Sequence, residues 1–303
     1  MNTIKKEKIQ KSKEKIVIDY AYSSASRIFP AILGELDVDV VALNAFVNSS
    51  KITKTPQEFD NSLNQLSDIV TTLKADAGFL IDSGAEKLFL VDEKGKIIPD
   101  DLAMLIMAYL VMKECQKNEC QKNGKKPTIA VPVSASSVID ELAEKFGTIV
   151  KRTATSPRSL MNAAVNDKNI IFVSDGQGGF IFPEFQNAFD AMYAIGKVIE
   201  LMGEDEMSLS KVSREIPSFE VLHKVVHCPW DKKGQVMRKA IEDSKGKKTE
   251  LVDGVKVYFN NGWVLLVPDT DGAFFHIWAE AKDKSTANGF LEIYTDKITK
   301  WQE

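Results

Sequence analysis

Cysteine is scarce: Cys115, Cys120 and Cys228 are the three in 303 residues. A small, odd set in a chain this long is no disulfide framework, and points to a reducing, cytoplasmic setting. Excess charge of one sign is missing too. The formal net charge of −4 gives no electrostatic reason to expect nucleic acid. Long apolar runs are also missing. The most apolar stretch, Leu102–Met112, is too short to cross a bilayer and reads as a buried helix. The first fifteen residues are too charged to hold the apolar region of a secretory signal. Their lysines are interrupted by glutamates, so residues 1–14 read as a flexible, solvated lead-in. What remains is ample: hydrophobic residues make up 44% of the chain, enough for two or three domains.

Those residues are patterned. Lys15–Ala21 is a near-continuous apolar run, as in a parallel strand covered on both faces. Ser23 to Ser26 then open a helix through Leu36, and a second strand follows at Val38–Asn44. Thr55-Pro56-Gln57-Glu58 predicts a capped helix start, with Thr as N-cap, Pro at N1 and Glu at N3. Ala77–Ile81 predicts a strand ending at an acidic turn. The same design then recurs. Pro127–Gly147 repeats strand, serine-rich turn and helix; Thr148–Thr153 is the next strand; Ser156-Pro157 starts a helix through Ala164; Asn169–Phe182 is strand, glycine turn and strand. A long helix is expected over Glu184–Met202.

After about Gly203 the pattern changes. Residues 253–268 alternate about Asn260-Asn261-Gly262 as a β-hairpin. Strands near 218–230 and 274–281 and helices over 231–243 and 284–301 complete an α+β module, with a linker between Gly203 and Pro217. The expected architecture is α/β: two consecutive α/β domains at 15–98 and 99–207, then a smaller α+β domain with an antiparallel sheet at 208–303.

Candidate chemistry is thin. In Asp82-Ser83-Gly84-Ala85-Glu86-Lys87 only Asp82 and Glu86 offer strong oxygen ligands, whereas a hard divalent cation needs several that converge. A capped turn with Lys87 neutralising the acids is the plainer reading. Ser23, Ser24, Ser134 and Ser136 stand at helix starts, where anions bind but capping suffices. Asp175-Gly176-Gln177-Gly178-Gly179 is a turn between apolar strands, with Lys151, Arg152 and Arg158 beside a neighbouring strand end. His223 and His227 share strand parity but stand about 13 Å apart, and Cys228 points the other way, which excludes a common zinc site. Trp263, Trp278, Phe274 and Phe275 read as packing residues.

The order of these segments resembles domains two, three and four of the phosphomannomutase/phosphoglucomutase (α-D-phosphohexomutase) family. Residues 15–26 look like the opening of its second domain. Residues 73–95 are similar to the segment carrying its Asp-Gly-Asp-x-Asp-Arg metal loop. Residues 172–192 are similar to its sugar-binding Gly-Gly-Glu-x-Ser-Gly segment, and 253–281 to the segment carrying its phosphate-binding Arg-Pro-Ser-Gly-Thr-Glu-Pro.

The resemblance implies where the chemistry has changed. The three metal-loop Asp positions hold Asp82, Gly84 and Glu86, and the Arg position holds Lys87. The sugar-binding Glu and Ser positions hold Asp175 and Gln177, with Gly178 kept. The phosphate-loop Arg position holds Val267; Pro268 is kept, and Asp269, Thr270, Asp271, Gly272 and Ala273 follow. The nearest cation in sequence, once protonated, is His276. No Thr-Ala-Ser-His-Asn segment bearing the family's phosphoryl-carrying serine is present.

Residues 182–192, 227–239 and 266–281 resemble a branch in which the mutase-like region is the C-terminal part of a mannose-1-phosphate guanylyltransferase-type enzyme. The expectation is therefore a catalytically degenerate region of a sugar-nucleotide synthesis enzyme, with a structural, assembly or sugar-phosphate-binding role. Its partners would be a sugar phosphate or nucleotide sugar and a fused or separate nucleotidyltransferase domain. Arg158, Asp175, Gln177 and Gly178 are the substrate-binding candidates; Asp82, Glu86 and Lys87 form a vestigial metal loop; Pro268, Asp269, Thr270 and Asp271 form a vestigial phosphate loop. No cofactor is required, and Mg2+ at Asp82 and Glu86 is the weaker alternative. Two rival readings stand beside this one. The first is a phosphomannomutase/phosphoglucomutase interconverting hexose 1- and 6-phosphates once a serine-bearing first domain is supplied. The second is an oligomerisation module without ligand.

Overall fold

A computed structural model describes residues 3–118, 120, 125–204 and 207–303. Its contacts divide the chain into two compact units. One comprises Met1–Val131, Ile139–Lys151 and Pro157–Ile216; the other comprises Pro132–Val138, Arg152–Ser156 and Pro217–Glu303.

The first unit opens with helix α1 (Lys6–Ser12). A solvated lead-in was expected here, but Ile9 is buried and α1 packs on helix α7 (Ala191–Glu204). One apolar side chain per two turns is too weak a periodicity to announce a helix in sequence. Strand β1 (Lys15–Asp19) follows, buried from Ile16 to Asp19. Ser24–Arg27 form a 3-10 turn into α2 (Phe29–Glu35), and β2 (Asp39–Leu43) comes next. Helix α3 (Pro56–Leu73) starts as its sequence dictates. The Thr55 side chain accepts from Glu58 N–H, and Glu58 Oε2 accepts from Thr55 N–H at 2.8 Å. Strands β3 (Ala77–Ile81), β4 (Leu88–Asp92) and β5 (Ile97–Ile98) complete a sheet of order β2-β1-β3-β4-β5. Its first three strands are parallel and its last two antiparallel.

Helix α4 (Asp100–Lys117) is buried without a break from Ala103 to Leu110, as its apolar composition requires. The second sheet repeats the design with β6 (Thr128–Pro132), α5 (Val138–Phe146), β7 (Ile149–Thr153), α6 (Pro157–Asn166), β8 (Ile170–Ser174) and β9 (Phe180–Ile181), in the order β7-β6-β8-β9. α7 starts at Ala191, not at Glu184. The Asp190 carboxylate accepts from Tyr193 N–H at 2.8 Å and caps the helix there, while Phe185 stacks on Tyr193. The stretch expected as linker instead holds α8 (Leu209–Glu215), whose Leu209 and Val212 are buried.

Apart from the ends of β6 and β7, the second unit is the expected α+β module. It contains β10 (Glu220–His227), α9 (Lys233–Asp243), β11 (Thr249–Glu250), β12 (Val255–Phe259), β13 (Gly262–Pro268), β14 (Phe274–Ala281) and α10 (Lys284–Trp301). All strand pairs are antiparallel, in the order β10-β14-β13-β12-β11. One face of this sheet packs on α9 and α10 through Val236, Ala240, Leu266, Phe275, Leu291 and Ile298. The class is therefore α/β followed by an antiparallel α+β domain, as the patterning predicted.

Candidate functional site

In the first unit the acidic turn and the glycine turn meet. The acidic turn is closed by its own aspartate: Asp82 Oδ1 accepts from Glu86 N–H at 2.8 Å and Lys87 N–H at 2.9 Å. Ala85 adopts φ 55° at the tip. The strand leaving the turn runs beside the glycine turn. Leu88 N–H donates to Gly178 O at 2.8 Å, and Lys87 bridges Gly179. That register carries Lys87 to Asp175, and the two form an ion pair. Lys87 also lies 5.1 Å from the centre of the Phe189 ring.

Asp175 is equally committed. Its Oδ1 accepts from Gln177 N–H and Gly179 N–H, both at 2.8 Å, and its Oδ2 takes Lys87. Gly176 and Gly178 have φ of 69° and 81°, the left-handed conformation that glycine adopts without strain. A Cβ on Gly178 would stand 3.1 Å from Leu88 O. Gln177 is exposed at the tip. Arg158 is exposed at the start of α6, with no ion pair among the described residues. Sequence reasoning missed Asp100, in the first turn of α4. Burial, then the nearby Asp175 charge, push its carboxyl up to about 6, against the opposing pull of Lys87. The Asp100-Asp101 pair reads in sequence as an ordinary acidic helix start, so only the fold could reveal its neighbours.

Magnesium does not fit this turn. One Asp82 oxygen is spent on two backbone donors, Gly84 brings no ligand, Glu86 is exposed and Lys87 is itself a cation turned into the site. Among the described residues no three His, Cys, Asp or Glu side chains are grouped to hold a metal ion.

In the second unit the Pro268–Ala273 loop satisfies itself. Asp269 Oδ1 accepts from Asp271 N–H at 2.7 Å and Gly272 N–H at 2.6 Å, and Oδ2 lies 2.7 Å from His276 Nε2. The His276 bond and then the two backbone donors hold the Asp269 carboxyl down at about 2. An internal carboxylate thus occupies the backbone donors of this loop. Lys233 Nζ is spent on the Asp269 and Gly272 carbonyls, and Thr270 and Asp271 are exposed. His223 pairs with His276, Nε2 to Nδ1 at 3.0 Å, and not with His227. Trp263 and Phe275 are buried packing residues, whereas Trp278 stacks on His223 and Phe274 is exposed. The serine-rich turn entering α5 is explained by capping: Ser136 Oγ accepts from Val138 N–H at 3.1 Å.

Comparison with known proteins gives this arrangement its context. Residues 1–95 match phosphoglucomutase/phosphomannomutase alpha/beta/alpha domain II, and residues 99–219 match alpha/beta/alpha domain III. The chain belongs to the phosphohexomutase family. A phosphoglucomutase/phosphomannomutase of Thermococcus kodakarensis is 27% identical over 293 residues, covering 96% of the chain and 62% of that protein. A probable phosphoglucosamine mutase of Methanosarcina barkeri is 30% identical over 285 residues, covering 93% and 62%. The chain thus spans about three fifths of the length of the curated mutases it matches. A phosphoglucomutase/phosphomannomutase family protein of Burkholderia thailandensis superposes with a TM-score of 0.78 at 16% identity, over 98% of the chain and 64% of that structure. At that identity the likeness carries the phosphohexomutase fold alone.

Proposed function

We propose that this chain supplies the sugar-phosphate-handling domains of a phosphohexomutase, interconverting hexose 1- and 6-phosphates once a serine-bearing segment completes it. The observation that supports this best is the run of alignment with proteins named as mutases along more than nine tenths of the chain. The guanylyltransferase-linked reading has no such support.

In the proposed roles, the Asp175–Gly178 turn faces the sugar hydroxyls and Lys87 fixes the Asp175 carboxylate through their ion pair. Arg158 is the free guanidinium for a phosphate. Asp100, with its carboxyl near 6, is placed to exchange a proton near neutrality.

The test is turnover of glucose 1-phosphate, mannose 1-phosphate and glucosamine 1-phosphate by the chain mixed with a phosphoserine-bearing first domain of a related mutase, with Asp175→Asn as control. Isomerisation that depends on both components and falls at least tenfold in D175N is the expected result. A specific observation favours a second reading, binding without turnover: Asp269 occupies the donors of the phosphate loop. Saturable binding of the same sugar phosphates with no isomerisation would replace the first reading with the second. No binding at millimolar ligand would overturn both.

A further inference from the structure

Helix α4 ends in a closure that the proposed mutase reaction does not use. Cys120 N–H donates to Cys115 O at 3.1 Å, the six-to-one bond that folds a chain back over its own helix end. The bond holds Cys115 and Cys120 close at the helix end, where both residues line one cavity. A disulfide requires a short Cα separation, and this backbone bond draws the two positions toward one another. Cys115 is 3% exposed and Cys120 is half-buried. Both residues line a cavity of about 380 Å³ in the first unit, walled also by Val111, Lys168, Phe182 and Lys197. All three cysteines of the chain are free. Cys228 lies in the core under the antiparallel sheet.

We propose that Cys115 and Cys120 form a redox modification site, oxidised by a small hydroperoxide to an intramolecular disulfide and restored by a dithiol. The cavity gives the oxidant access. Cys120, the more accessible sulfur, reacts first as its thiolate. It attacks the terminal peroxide oxygen, the O–O bond breaks, and the departing hydroxide takes up the proton the Cys120 thiol released, leaving a sulfenic acid and one molecule of water (from hydrogen peroxide). The Cys115 sulfur then attacks the Cys120 sulfur. The S–O bond breaks, hydroxide leaves, and it takes up the Cys115 proton as a second water. Two thiols lose two electrons in all, and the peroxide gains them. Cys115 is buried, which also pushes its thiol up, so Cys115 serves as the resolving partner and does not meet peroxide first. Attack by a reducing dithiol on the more accessible Cys120 side reverses the bond. The site stands on the helix end and the cavity alone, independent of the mutase reading.

The full chain is treated with a small excess of hydrogen peroxide, alkylated under denaturing conditions, and read by intact mass and peptide mapping. The expected result is a mass loss of about 2 Da before alkylation, a linked peptide joining residues 115 and 120, and a single alkylated cysteine, Cys228. Dithiothreitol restores three alkylatable thiols. Cys120→Ser leaves Cys115 reduced under the same dose, and Cys228→Ser reacts like the parent. Stepwise gain of oxygen without the link, a bond that includes Cys228, a link between chains, or no reaction at doses that oxidise a free surface thiol would each overturn the proposal.

Discussion

Asp175 shows how one buried carboxylate can organise a turn. Its side chain is 6% exposed, yet it carries a charge answered by Lys87 and two backbone N–H groups. Removing the lysine leaves a buried carboxylate with only neutral donors, a state costlier than the pair itself. Lys87→Met is expected to lower stability by about 1–2 kcal/mol, read from the urea midpoint. The double variant with Asp175→Asn should recover part of that loss, because the amide can still accept from Gln177 and Gly179. Equal midpoints for parent and K87M would show that the pair is not structural. The same chemistry explains the contrast with Asp269. Its carboxylate also turns two backbone donors inward, but it sits at the surface and balances a histidine in place of a lysine.

At the scale of elements, the close approaches are where sequence and fold constrain each other most tightly. Gly254, entering β12, has φ 73°, and a Cβ there would lie 1.9 Å from Leu266 O across the hairpin. Since that atom is backbone, the strand itself must move. Gly254→Ala is expected to cost about 2–4 kcal/mol, measured by chemical denaturation of the whole chain; a loss below about 0.5 kcal/mol would refute the tight approach. The hairpin itself was legible, because Asn260-Asn261-Gly262 and the flanking alternation are local signals. So were the Thr55–Glu58 cap and the buried α4. α1 and α8 were not, since each is held by tertiary packing of a few apolar residues in otherwise charged segments. The start of α7 was misplaced because Phe185 continues the apolar pattern, while Asp190 makes the decisive cap. The turns carrying Asp82 and Asp175 were legible one at a time. Their meeting through Lys87, and the place of Asp100 beside them, depend on a strand register spanning 88 residues. No local pattern encodes that.

At the scale of the molecule, titration of its buried carboxyls sets how the first unit responds to pH. Glu14 lies just before β1, where burial and then the Asp76 charge push its carboxyl up to about 8 from 4.5. One of its oxygens is buried without a hydrogen-bond partner among the described residues, and Asp76 is tied to Lys15 N–H at 2.8 Å. Asp100 is displaced the same way, to about 6 from 3.8. In both cases the folded state keeps a proton that the unfolded chain releases. Their contribution is therefore fully present at the acid end, below each unfolded value, and is lost as pH rises through about 6 for Asp100 and about 8 for Glu14. Asp269 works in the opposite sense, since its stabilisation is present above 3.8 and lost as pH falls to about 2. Unfolding free energy should accordingly fall between pH 5 and 8.5 by on the order of 2 kcal/mol from Glu14, less than its full displacement because the residue keeps some solvent contact. Glu14→Gln carries no such proton, so its curve should lie flatter and cross above the parent near the alkaline end, with Asp100→Asn removing only the part of the slope below about pH 6.5. Parallel parent and E14Q curves in urea titrations at half-unit pH steps would show that Glu14 is ionised in the folded chain, its charge met by water at the foot of β1 despite the Asp76 carboxylate nearby.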